Sequence, residues 1–152
     1  MFRKPILLGV FFMVTVFPLI SQSNEMIDKL LSEEKARFGL AAYLVLAAGG
    51  EIAEGASVNE AMNALAEPKF SILKDKTEED FINFRELAYL IMQSFEMKGG
   101  ILYRIFPSPR YAYKEMLFLN VLSSKRADRA PINSDDMMRL LGRVMEWRGT
   151  YQ

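Results

Sequence analysis

Cysteine and histidine are both absent from this 152-residue chain. Without cysteine there is no disulfide, no thiolate metal site and no lipid anchor on an N-terminal cysteine. Without histidine the commonest general base and the commonest zinc ligand are missing. Ser-His-Asp and Cys-His nucleophile systems are therefore excluded. A carboxylate pair, a Ser-Lys pair or an oxygen-ligand metal site remains open to catalysis. An excess of charge is lacking too, since 19 basic residues balance 19 acidic ones. A chain this neutral has no general attraction for nucleic acid or for anionic lipid, because both need a basic surplus or stripe.

What is present begins with an export signature. Arg3 and Lys4 precede an uncharged apolar run from Ile6 to Ile20, with Pro18 near its end. Ser21-Gln22-Ser23 then supplies small residues for a cleavage site, before Asn24 by first choice and before Gln22 by second. The 15-residue run is shorter than the ~20 residues of a spanning helix. Residues 1–23 thus read as a signal peptide and residues 24–152 as one exported, periplasmic or envelope-associated domain, with no membrane span once the signal is removed. An uncleaved membrane anchor is the competing reading.

The rest of the chain is patterned as helices. Ile27, Leu30, Leu31, Phe38, Ala41, Ala42 and Val45 predict a long helix over 25–48, stopped by Gly49-Gly50. Ser57 with Glu60 predicts the start of a short helix that Pro68 ends. Phe84, Leu87, Ala88, Ile91 and Phe95 form the stripe of a further helix, with cap signals at Thr77 and Asn83 and a stop at Gly99-Gly100. A helix over 110–122 follows Pro107 and Pro109. A last one begins at Asn133 or Ser134, with Asp135 and Asp136 suiting the positive end of its dipole. Only 101–106 suggests a short strand. The fold class is all-α, with three long helices about one core and Leu87, Ile91, Leu119, Leu141 and Val144 buried in it.

The helices echo one another. Ala42-Tyr43-Leu44-Val45 returns as Ala88-Tyr89-Leu90-Ile91, 46 residues later, and the segment opening at Asn83 returns at Asn133, 50 residues later. These offsets predict degenerate tandem helix-loop-helix repeats, about two and a half units. Pro131-Ile132-Asn133-Ser134-Asp135-Asp136-Met137 resembles the lead between repeats of the S-layer homology (SLH) family. Tyr111-Ala112-Tyr113-Lys114-Glu115-Met116 resembles that family's second-helix opening, and is similar to a segment of spirochaete envelope proteins. The resemblance covers residues 82–147 well and 37–65 loosely. It implies a non-catalytic binding or scaffold module of the bacterial cell envelope, contacting cell-wall polysaccharide or an envelope protein. The family's motif arginine is replaced here by Phe84 and by Ser134, and its threonine by asparagine in both places.

The strongest candidate surface runs from Tyr103 to Tyr113. Tyrosine faces stack on sugars or proline, arginine adds planar hydrogen bonding, and the prolines hold the segment extended. Arg104, Arg110, Tyr111 and Tyr113 are its binding residues. By the SLH resemblance they lie beside Asn133, Ser134 and Asp135 in a shallow groove. No catalytic residue, metal ligand or cofactor is assigned. The acidic clusters at Glu78-Glu79-Asp80 and Asp135-Asp136 sit at helix starts, where capping alone favours carboxylates. Lys125-Arg126-Ala127-Asp128-Arg129 reads as a solvated loop. The two alternatives are a small periplasmic subunit that binds protein and no glycan, and a carboxylate-based hydrolase.

Overall fold

The first predicted helix is two helices. The computed structural model describes residues 18–122 and 128–151, with side chains over 24–122 and 128–150. In it α1 spans Pro18–Leu31 and α2 spans Phe38–Gly49. Most of the expected signal segment, residues 1–17, lies outside the described residues, as do Lys125, Arg126 and Ala127 of the basic loop. Both expected cleavage points fall within α1.

Residues 32–37 leave the helix because their backbone groups have better partners elsewhere. Ala36 N–H donates to the Ile132 carbonyl at 3.0 Å, Ile132 N–H to the Ile82 carbonyl at 2.9 Å, and Ile82 N–H to the Ala36 carbonyl at 3.1 Å. The three bonds close a ring. Around it Lys35 bridges Asn133, Arg37 bridges Phe81, and Asn83 bridges Pro131, each as an isolated antiparallel pair. Ala36, Ile82 and Ile132 are all fully buried. Each stands two residues before a helix: α2, α4 (Phe84–Ser94) and α7 (Ser134–Tyr151). The chain positions 36, 82 and 132 are 46 and 50 apart, the offsets of the sequence echoes. Beyond these single bridges no strand forms among the described residues, and the fold is all-α.

Local signals explain where most helices start. Ser57 and Glu60 form a reciprocal capping box on α3, Val58–Ala64. Asn83 and Glu86 do the same for α4. The Thr77 signal is used as well, in a separate turn whose Asp80 carboxylate accepts the Thr77 N–H at 2.8 Å. That bond holds the Asp80 carboxyl below its ordinary pKa. Gly50, at φ 82°, takes the left-handed conformation that ends α2. Gly99-Gly100 does not end α4. The helix stops earlier, at Ser94, where Glu96 turns the chain with φ 50°. Pro68 opens a 3-10 turn, Pro68–Leu73, that puts Phe70 and Leu73 into the core.

α2 carries no charge, and everything from Phe38 to Leu46 is buried. A helix apolar all round belongs at the centre. α1, α3 and α4 pack against it, and α6 (Pro109–Phe118) lies on α4. Of the core residues expected from the pattern, Leu87, Ile91, Leu141 and Val144 are buried, while Leu119 is only partly so. The reason is that α6 ends at Phe118, so Leu119 closes the helix rather than continuing its inner face.

Candidate functional site

Residues 97–114 form the most unusual surface of the molecule. They carry Lys98, Arg104, Arg110 and Lys114 and no acidic residue. All four basic side chains are exposed. The 101–106 stretch is not a strand. Ile101–Ile105 make a short helix, α5. Gly99 permits it, because a Cβ there would lie 2.5 Å from the Tyr103 ring. Tyr103 is the only α5 residue that points inward. Ser108 then runs extended, at φ −151° and ψ 157°, and Pro109 opens α6 with its φ already suited to a helix.

Between α4, α5 and the 3-10 turn lies an open cleft of about 660 Å³. Gln93 Nε2 donates to the Tyr103 hydroxyl at 2.7 Å there. Burial pushes the Tyr103 phenol well above its ordinary pKa. The group therefore stays protonated, and its O–H is left to donate to something else. Lys69, Lys98, Arg104 and Pro107 complete the wall, with Glu96 as the one carboxylate. Lys69 is engaged by Glu51. Among the described residues Lys98 and Arg104 form no ion pair. The cleft can hold a polar or anionic group by hydrogen bonds and charge. It contains no activated nucleophile and no paired acid.

A smaller polar notch of about 270 Å³ lies where α2 and α4 end, beside Arg148 of α7. Ser94 Oγ is buried there without a hydrogen-bond partner among the described residues. Arg148 reaches across to the Ala48 carbonyl at 3.4 Å and covers the Phe95 ring at 5.6 Å.

The residues expected to form one groove are dispersed. Arg104 is exposed on the cleft wall, and Arg110 is exposed at the start of α6. Tyr111 is half-buried, with Lys114 Nζ 5.7 Å above its ring. Tyr113 is buried, because it shares the inner face of α6 with Ala112 and Met116. Ser134 is buried too. Its Oγ donates to the Glu33 carbonyl at 2.7 Å and its N–H to the Glu34 carbonyl at 3.2 Å. Asn133 and Asp135 are exposed, with Asn133 Oδ1 accepting the Asp135 N–H. The start of α7 is thus bonded to residues 33–36 and to Ile82. α6 lies on α4 and α5, and neither cavity described above is lined by Arg110, Tyr111 or Asn133–Asp135. Lys69, Gln93 and Lys98 were missed. For Lys98 the signal was the acid-free run of residues 97–114. Comparison of the chain with protein-family models, curated proteins and solved structures finds no match.

Proposed function

We propose that the chain is a non-catalytic binding or scaffold module of the bacterial cell envelope, SLH-like in plan and exported by its N-terminal segment. The observation that carries the reading is the ring of Ala36, Ile82 and Ile132. Three leads at the offsets of the sequence echoes, each opening a helix, are bonded head to tail. Repeats arranged about an axis bring equivalent leads together, which is how the three bonds relate these segments. The proposed plan has about two and a half units, the last of them being α7 alone.

An envelope protein is favoured over polysaccharide as the partner. The motif-arginine positions hold Phe84 and Ser134, both buried, so no guanidinium faces a sugar there. The exposed polar candidates are Arg104, Arg110, Asn133 and Asp135, with Tyr111 half-buried. A hydrolase has little support, because Glu96 has no second carboxylate across the cleft.

The test is retention of the full chain on purified envelope fractions, with cell-wall polymer and envelope protein kept separate. Joint replacement Arg110→Ala and Tyr111→Ala should lower retention about tenfold, as for interface residues worth more than 1 kcal/mol together. The melting temperature should hardly change. Retention by neither fraction overturns the reading. A large drop in melting temperature makes Tyr111 a packing residue.

A further inference from the structure

α5 is almost inside out. Ile101, Leu102 and Ile105, with Phe106 directly after them, are 73%, 55%, 60% and 62% exposed, and Tyr103 alone is buried. Ile101 and Ile105 are four residues apart, and so are Leu102 and Phe106. Two adjacent rows of large apolar side chains therefore face water. Single exposed apolar residues are ordinary, but four grouped on one short element mark a contact surface.

The surrounding charge says what the contact is. Residues 97–114 carry four basic side chains and no acidic one, although the whole chain sums to zero. The remainder is therefore net negative, and the segment that carries the apolar rows keeps a basic surplus even with Glu96 and Glu115 at its two ends. Lys98 precedes α5 and Arg104 lies within it, both exposed at the cleft edge and without ion pairs among the described residues. Exposed aliphatic and aromatic side chains with a lysine and an arginine in the same short segment match the chemistry of an anionic lipid surface. The apolar groups enter the acyl boundary and the cations meet the phosphates. A polyanionic glycan would use the cations and leave the isoleucines, Leu102 and Phe106 wet.

We propose that the α5 face docks this protein on an anionic phospholipid surface, with Ile101, Leu102, Ile105 and Phe106 inserted and Lys98 and Arg104 at the headgroups. The near-zero net charge is no obstacle, because screening confines the attraction to charges close to the membrane. The inference goes beyond the envelope-module reading and does not need it. Retention on envelope fractions tests that reading, and a local probe tests this one.

The chain has no cysteine, so one introduced thiol can be labelled uniquely. An environment-sensitive dye is placed on full-length Ile105→Cys, and on Ile72→Cys as a control, since Ile72 is 50% exposed on the 3-10 turn. Both proteins are mixed with phosphatidylglycerol-containing vesicles and with pure phosphatidylcholine vesicles. The expected result is a blue shift at position 105 on anionic vesicles only, with quenching by lipid-borne quencher and no shift at position 72. Lys98→Gln with Arg104→Gln should abolish the shift while the helical circular dichroism stays unchanged. No shift at position 105, an equal shift on neutral vesicles, or a shift surviving the double substitution overturns the proposal. So does a shift that appears without vesicles and grows with protein concentration, which identifies a second copy as the occupant.

Discussion

Ile82→Ala and Ile132→Ala are each expected to lower unfolding free energy by about 2–5 kcal/mol, the range for truncating a fully buried isoleucine. Neither side chain has any exposed surface. Both residues also bond to each other through the ring, where Ile132 N–H meets the Ile82 carbonyl at 2.9 Å. Truncating one lets the backbone around the other relax, so the double variant should depart from additivity, as neighbours commonly do. Domains of this size are stable by about 5–15 kcal/mol, so the double variant should approach unfolding at room temperature. Urea titration followed by circular dichroism reads this directly. A loss under about 1 kcal/mol for either single change would show that the ring is not packed as described.

Gly39 should not tolerate a side chain. Its N–H donates to the Glu78 carbonyl at 3.0 Å, which draws the first turn of α2 onto the segment leading into α4. A Cβ at Gly39 would stand 2.6 Å from Glu78 Cβ, 2.9 Å from Val58 Cγ1 and 3.0 Å from Glu78 Cα. Two of these neighbours belong to Glu78 itself, at its backbone or next to it, and cannot swing aside. Gly39→Ala should cost about 1–3 kcal/mol, as overpacking does, and Gly39→Leu more. Gly142 supplies the contrast. It lies inside α7 with nothing within 4 Å of its Cβ position, so Gly142→Ala should raise stability by up to about 1 kcal/mol. Thermal melts of the two alanine variants should therefore shift in opposite directions. A shift of the same sign would contradict the packing assigned to Gly39.

The helices were legible where local chemistry decides them. Ser57 with Glu60 and Asn83 with Glu86 are capping boxes in sequence and in structure. The break at residues 32–37 was not legible. Glu33-Glu34-Lys35-Ala36-Arg37 consists of good helix formers, and what pulls it out of the helix is a set of partners at residues 82 and 132–134. Ile101–Phe106 misled for a related reason. Its β-branched, apolar pattern suits a half-buried strand, but only Tyr103 has a core to enter. Among the expected site residues, Tyr113 and Ser134 look like surface groups until the packing of α6 on α4 and the Glu33 carbonyl are known. Arg104 lies on the cleft wall with Lys98, a juxtaposition that depends on how α5 folds back on α4.

Three chain segments are closed into one ring by the bonds among Ala36, Ile82 and Ile132. Native-state hydrogen exchange at the amides of Ala36, Ile82 and Ile132 tests that claim most directly. Each amide is bonded to the next segment, and all three residues are buried. No one of them can open without disturbing the other two. They should exchange together, in the slowest class with the interior of α2, through global unfolding alone. If one of the three exchanges orders of magnitude faster than the others, the ring is open in solution and the repeat-based reading of the fold fails.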